Sequence, residues 1–204
     1  MTKPNNFQTR EEWLNFVMDE VRPVFVNLNA PLPAKIRLSV GFTSNGYRGK
    51  AIGECWDSKA SGDKNFEIFV KPDQDEAVRV AGILVHELVH AAVGIDAGHK
   101  APFKRVAVQL GLEGKMTATT EGDAFIQMIT PILKNAGPLP HKRLQAYRTK
   151  KKQGTRLLKC ECECCGYTVR VAKKWILEGA PHCGTVSHGR MICDELPDDE
   201  GDDE

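Results

Sequence analysis

Two groups of residues in this 204-residue chain have the types and spacing to do chemistry, and the first is His86-Glu87-Leu88-Val89-His90. It lies in a stretch, 75–93, that is apolar nearly all round, with Val78, Val80, Ala81, Ile83, Leu84, Val85, Leu88, Val89 and Ala92, and this pattern predicts a helix buried in a core. Residues at i and i+4 share a helix face, so both imidazoles can hold one zinc ion while Glu87 reaches water at the open coordination position. Zinc lowers the pKa of such a water from about 15.7 toward about 7 and polarises a carbonyl. Glu87 would take the proton as water attacks and return it to the leaving group. Two histidines and a glutamate on an otherwise apolar helix would cost several kcal/mol without partners, which weighs against a chance match.

A catalytic zinc normally takes three protein ligands. His99, nine residues after His90 and just past Gly94 and Gly98, is the best candidate for the third, because a turn there can fold it back onto the metal. Glu113, Glu121 and Asp96 are the alternatives.

The second group is a run of cysteines. Six of the seven lie between Cys160 and Cys193, a poor layout for a secreted disulfide framework and a better one for metal-ligating thiols in a reducing compartment. Cys162 and Cys165 form a C-x-x-C-G knuckle with Gly166, and Cys183 and His188 follow at ligand spacing. Cys162, Cys165, Cys183 and His188 are the economical set for one structural zinc, with Cys193 and His182 competing for the fourth place. Cys160 and Cys164 are surplus, expected as unligated thiols on alternate faces of a strand, and Cys55 is expected as a small buried hydrophobe. A segment of some thirty residues cannot bury much, so the metal would supply folding energy there.

Charge is segregated along the chain although the net is +1. Residues 141–174 carry 11 Lys and Arg against 2 acids, and 194–204 carry 8 acids and no base. Lys150, Lys151, Lys152, Arg156, Lys173 and Lys174, interleaved with Tyr147, Tyr167 and Trp175, suit phosphates and unpaired bases, so single-stranded or non-specific DNA is an expected partner. No apolar run has the length of a signal peptide or a membrane span, so a cytoplasmic protein without a membrane partner is expected.

These residues need elements to place them. Thr9 and Glu12 form a capping box before Trp13, Phe16, Val17 and Val21, which predicts a first helix from Arg10 that Pro23 kinks or ends. Short apolar runs at 36–42, 51–56 and 66–70, separated by turn residues, predict three antiparallel strands. The helix at 75–93 is ended by Gly94, and two more helical patterns occupy 102–110 and 121–135.

His86 to His90, then His99, Phe103 and Gly111-Leu112-Glu113-Gly114-Lys115-Met116-Thr117 together resemble the SprT-like metallopeptidases, a family related to the eukaryotic Spartan proteases, and in particular its short phage and bacterial members. The resemblance runs from about Asn65 to the end of the cysteine segment and includes 170–175 and the Gly179-Ala180-Pro181 turn. Lys100 departs from the small residue many members carry there, and the family's second ribbon pair is closer together than Cys183 and His188. The resemblance implies a zinc-dependent peptidase acting on proteins bound or crosslinked to DNA. It also implies that a strand near 67–70 pairs with an extended substrate.

The expected architecture is α+β. A zincin-like protease domain occupies 1–140 with one catalytic zinc, a basic linker 141–154, a zinc ribbon 155–195 with one structural zinc, and a disordered acidic tail 196–204. The rival reading is a non-enzymatic, zinc-containing DNA-binding protein.

Overall fold

In the computed structural model, which describes residues 5–145 and 157–195, Thr9 and Glu12 cap the first helix reciprocally. The Thr9 hydroxyl accepts from the Glu12 N–H at 3.2 Å, and the Glu12 carboxylate accepts from the Thr9 N–H at 3.1 Å. Helix α1 (Arg10–Asn27) buries Trp13, Leu14, Val17, Val21 and Phe25 at helical spacing. Pro23 neither ends it nor marks its boundary, because only one further turn follows and the missing N–H costs a single bond.

Strands β1 (Ile36–Val40), β2 (Gly53–Trp56) and β3 (Phe66–Val70) form one sheet in the order β1-β3-β2. The expectation of three antiparallel strands is corrected: β1 and β3 run parallel, and only β2 is antiparallel to β3. The reason is the connection 41–52, which is too long for a hairpin turn and carries β2 past the place that β3 then fills. The buried Lys71 fixes this connection by donating to the carbonyls of Tyr47 at 3.1 Å and Gly49 at 2.9 Å. β3 is therefore central, with no edge left for a substrate, and the expectation for 67–70 fails. The outer edge of the sheet beside the core helix belongs to β2, where no strand pairs among the described residues.

Helix α2 (Ala77–Val93) lies against β2 and β3 and contributes Val80, Ala81, Ile83, Leu84, Val85, Leu88 and Val89 to the core. Glu76 caps it by accepting from the N–H groups of Val78 and Arg79. Helix α3 (Ala101–Gln109), the hairpin of β4 (Leu112–Lys115) and β5 (Ala118–Glu121), and helix α4 (Asp123–Ala136) complete this unit. The helix expected at 121–135 starts two residues later because Glu121 belongs to β5.

The chain divides into two compact units, residues 1–146 and 147–204. The first residues assigned to a basic linker belong to the first unit: the Leu144 N–H donates to the Pro72 carbonyl at 2.8 Å, and the Arg10 side chain donates to the His141 carbonyl at 3.4 Å. Lys150, Lys151, Lys152 and Arg156, and the acidic tail at 196–204, lie outside the described residues. In the second unit, β7 (Thr168–Ala172), β6 (Leu157–Glu161) and β8 (Ile192–Cys193) form an antiparallel sheet in that order, and the short helix α5 (Lys173–Glu178) follows β7. The architecture is mixed α+β with small sheets. Among the described residues no helix is long and apolar enough to cross a membrane.

Candidate metal centres

His86 and His90 stand one turn apart on α2, and a short connection brings His99 to them. Gly94 ends the helix at φ 86°, a single 3-10 turn covers Ile95–Ala97, and Gly98 reverses the chain at φ 50° and ψ −137°, a backbone state that side chains disfavour. The Nε2 atoms of His86 and His99 are 3.2 Å apart, as are those of His90 and His99. One ring nitrogen from each histidine lies within 4.8 Å of the others, so the three form a group able to hold a metal ion.

Phe103 supports all three rings. It is fully buried on α3, with its centroid 4.8, 4.4 and 4.9 Å from those of His86, His90 and His99. The other ring nitrogen of His86, Nδ1, lies 2.8 Å from the Thr119 hydroxyl on β5. Burial, with His90, His99 and Arg79 nearby, lowers the pKa of His86 to about 3, and burial with His99 lowers that of His90 to about 4. Burial also lowers His99. Each shift favours the neutral imidazole, the form that ligates metals.

Glu87 is 7% exposed and lines the same cleft, of about 580 Å³, with the histidines, Gly53, Cys55 and Thr119. Burial, helped by the charge of Glu54, raises its pKa to about 8. Its carboxylate reaches the cleft beside β2 because Gly53 has no side chain: a Cβ there would stand 2.6 Å from Glu87 Oε1 and 2.7 Å from Ile83 Cγ2. Cys55 is half-buried on the same strand, and its burial near Glu87 pushes the thiol pKa up, which leaves an unreactive neutral group.

The alternative third ligands have other partners or lie apart. Glu121 accepts from Arg79 Nη1 at 2.7 Å, Glu113 packs on Gly122, and Asp96 is outside the histidine group. Sequence reasoning missed Thr119, Gly53, Gly82 and Arg79 as parts of this site. Thr119 and Gly53 come from separate strands, for which spacing gives no signal; Arg79 and Gly82 lie on the same helix as His86, at helical spacing before it, but their role shows only once the hairpin packs against that helix. Phe103 entered only as part of a resemblance, without its role as the floor of the three rings.

In the second unit the structure brings together Cys162, Cys165, Cys183 and His188, whose ligand atoms lie within 4.8 Å of one another. Cys162 Sγ and Cys183 Sγ are each 3.7 Å from His188 Nδ1, and Cys165 Sγ is 3.7 Å from Cys183 Sγ. Burial opposes ionisation of Cys162, but the N–H groups of Cys165 and Cys164 and the thiols of Cys165 and Cys183 outweigh it and lower the pKa to about 6. Cys164 is exposed and outside the group.

Cys193 does not compete for the fourth place, and Cys160 is not a surplus thiol, because the two form a disulfide. They face one another in the β6–β8 register, which puts both side chains on one face of the sheet. His182 instead forms a backbone bridge with Arg190. Trp175, Tyr167 and Leu177 are exposed in this unit, and Lys174 Nζ sits 4.7 Å over the Trp175 ring. No protein-family model, curated protein or solved structure matches the chain.

Proposed function

We propose that the chain is a zinc-dependent metallopeptidase of the SprT-like kind, with a zincin-like first unit and a zinc ribbon, acting on proteins associated with DNA. The observation that carries this reading is the convergence of three imidazoles on one point, with the buried carboxyl of Glu87 in the same cleft. Tetrahedral zinc with nitrogen ligands near 2.0–2.1 Å has ligand–ligand edges of roughly 3.3 Å, close to the 3.2 Å between histidine nitrogens. With thiolates near 2.3 Å the thiolate–thiolate edge is roughly 3.8 Å and the thiolate–imidazole edge roughly 3.6 Å, close to the 3.7 Å separations of both kinds in the second group. The donor sets differ in the same sense as catalytic and structural zinc sites, three ligands against four.

His86, His90 and His99 would hold the first ion, and Cys162, Cys165, Cys183 and His188 the second. Zinc bound to the histidines would supply a Lewis acid that makes water ionisable near neutral pH and polarises a carbonyl. Glu87 handles the proton: its carboxylate accepts one from the attacking water and delivers it to the leaving amine nitrogen. A cation beside it favours the ionised form and offsets the burial that otherwise keeps Glu87 protonated. The extended substrate pairs with β2. The Lys71 N–H donates to the Ile52 carbonyl at 2.9 Å, so by alternation the backbone groups of Gly53 and Cys55 face away from β3 and toward the free edge lining the cleft. The DNA part of the reading rests on Lys173, Lys174 and the exposed Tyr167 and Trp175, which suit phosphates and stacked bases.

The test is casein cleavage by the zinc-loaded full chain, with and without a single-stranded oligonucleotide. Glu87→Gln should lower cleavage by about 100-fold or more while zinc content stays unchanged. No cleavage by the zinc-loaded wild type would sink the peptidase assignment, and undiminished cleavage by Glu87→Gln would remove Glu87 from the reaction. Absent oligonucleotide binding at low salt would remove DNA and leave the peptidase standing.

A further inference from the structure

The hairpin β4–β5 meets α2 at two points that keep step with each other. Thr119 and Glu121 are two residues apart on β5, which puts their side chains on one face about 6.8 Å apart. Gly82 and His86 are one helical turn apart on α2, about 6 Å. Thr119 Oγ1 lies 2.8 Å from His86 Nδ1, and the Glu121 carboxylate lies over Gly82, where a Cβ would come within 1.9 Å of Glu121 Oε1. Gly82 thus lets the hairpin approach closely enough for Thr119 to reach the histidine. Arg79, three residues before Gly82, locks the arrangement: its Nη1 donates to the Thr119 carbonyl at 3.0 Å and to Glu121 Oε1 at 2.7 Å. Thr119 itself is only 5% exposed, and its branched side chain has few rotamers to choose from.

This arrangement bears on which nitrogen of His86 is available. A neutral imidazole carries one proton, and the lone pair of Nε2 is free only when that proton sits on Nδ1. Nε2 is the atom that faces His99, and Nδ1 faces Thr119. We infer, on the reading of the three histidines as a metal centre, that Thr119 is a positioning residue whose hydroxyl oxygen accepts a hydrogen bond from Nδ1–H of His86, keeping that proton on Nδ1 and Nε2 unprotonated and aimed at the metal. Arg79, Glu121 and Gly82 hold Thr119 in place for that purpose. The hairpin, remote in sequence from the metal-binding helix, is thereby part of the centre.

The experiment uses the full chain with 15N-labelled histidine and zinc as the probe, titrated in competition with a chromogenic chelator. In the zinc-loaded wild type, the His86 Nδ1 proton should be visible in slow exchange, with a nuclear Overhauser contact to Thr119. Thr119→Val, which keeps the shape and removes the hydroxyl, should weaken zinc binding at the histidines by about 10- to 100-fold and leave the His188 centre unchanged. Thr119→Ser should restore affinity to within a few-fold of wild type, as a purely steric role would not. Wild-type affinity in Thr119→Val, or a zinc-loaded wild type without the Nδ1 proton facing Thr119, would overturn the inference. The wild-type observation decides the matter even if Thr119→Val does not fold. Failure of the wild-type histidines to respond to zinc would instead bring down the metal-centre reading on which the inference rests.

Discussion

His86, His90 and His99 rest on a core that stands apart from them: Phe103 beneath the rings belongs to one continuous buried cluster that includes Leu84, Leu88, Val106 and the α1 residues Trp13 and Val17, all fully buried. In the second unit the buried cluster is Cys160, Cys162, Cys183 and Met191, with only partly buried Val169, Val171 and Ile176 around it. Three of those four buried residues are the chemistry itself, two of them in the candidate metal-binding group and one in the disulfide. The same requirement, converging side chains on one point, is met in one unit by a prior hydrophobic scaffold and in the other by the ligands acting as the scaffold. A centre of the first kind can have an open coordination position and a cleft because nothing in the fold depends on closing it. A centre of the second kind has four ligands and is closed.

Metal removal should separate the two most sharply. With a strong chelator in oxygen-free buffer without a reductant, which leaves the Cys160–Cys193 disulfide intact, residues 157–195 should lose native amide dispersion by NMR while residues 5–145 keep theirs, since a structural zinc supplies on the order of 10 kcal/mol to a small domain. Equal loss in both units would erase the distinction.

The next largest effect reverses the roles. Phe103→Ala should cost the first unit about 3–5 kcal/mol in urea unfolding, because a fully buried aromatic leaves a cavity. Ile176→Ala in the second unit should cost about 1 kcal/mol, because that side chain is only partly buried. Similar costs at both positions would mean that the second unit has a scaffold of its own.

The third contrast is in pH. The folded-state pKa values of His86 and His90 are lowered from about 6.5 to about 3 and about 4, so their contribution is whole above pH 6.5 and fades as pH falls toward 4, where the unfolded chain binds protons the folded one refuses. Glu87 acts in the opposite sense: its folded pKa is raised to about 8, so its contribution is whole below about pH 4.5 and lost as pH rises through 8. The urea midpoint of the metal-free first unit should therefore decline on both the acid and the alkaline side of an intermediate pH. Zinc should remove the alkaline decline by favouring the Glu87 carboxylate. A metal-free midpoint that stays constant from pH 5 to 9 would contradict both shifts.

Local pattern carried much of this protein. The capping box at Thr9, the apolar helix around His86 and His90 and the C-x-x-C-G knuckle each depend on neighbours a few residues away, so composition and spacing are enough to read them. The choice of His99 over Glu113, Glu121 and Asp96 needed the turn at Gly98 and the separate engagement of Glu121 by Arg79. The parallel pairing of β1 with β3, which moved the free edge from β3 to β2, was decided by how the connection 41–52 crosses the sheet and by the buried Lys71 that holds it. The pairing of Cys160 with Cys193 came from strand register, and the contact of Thr119 with His86 from the close approach that Gly82 permits. Spacing along a chain fixes which side chains share a face of one element; which faces of different elements meet is settled by packing between residues far apart in sequence.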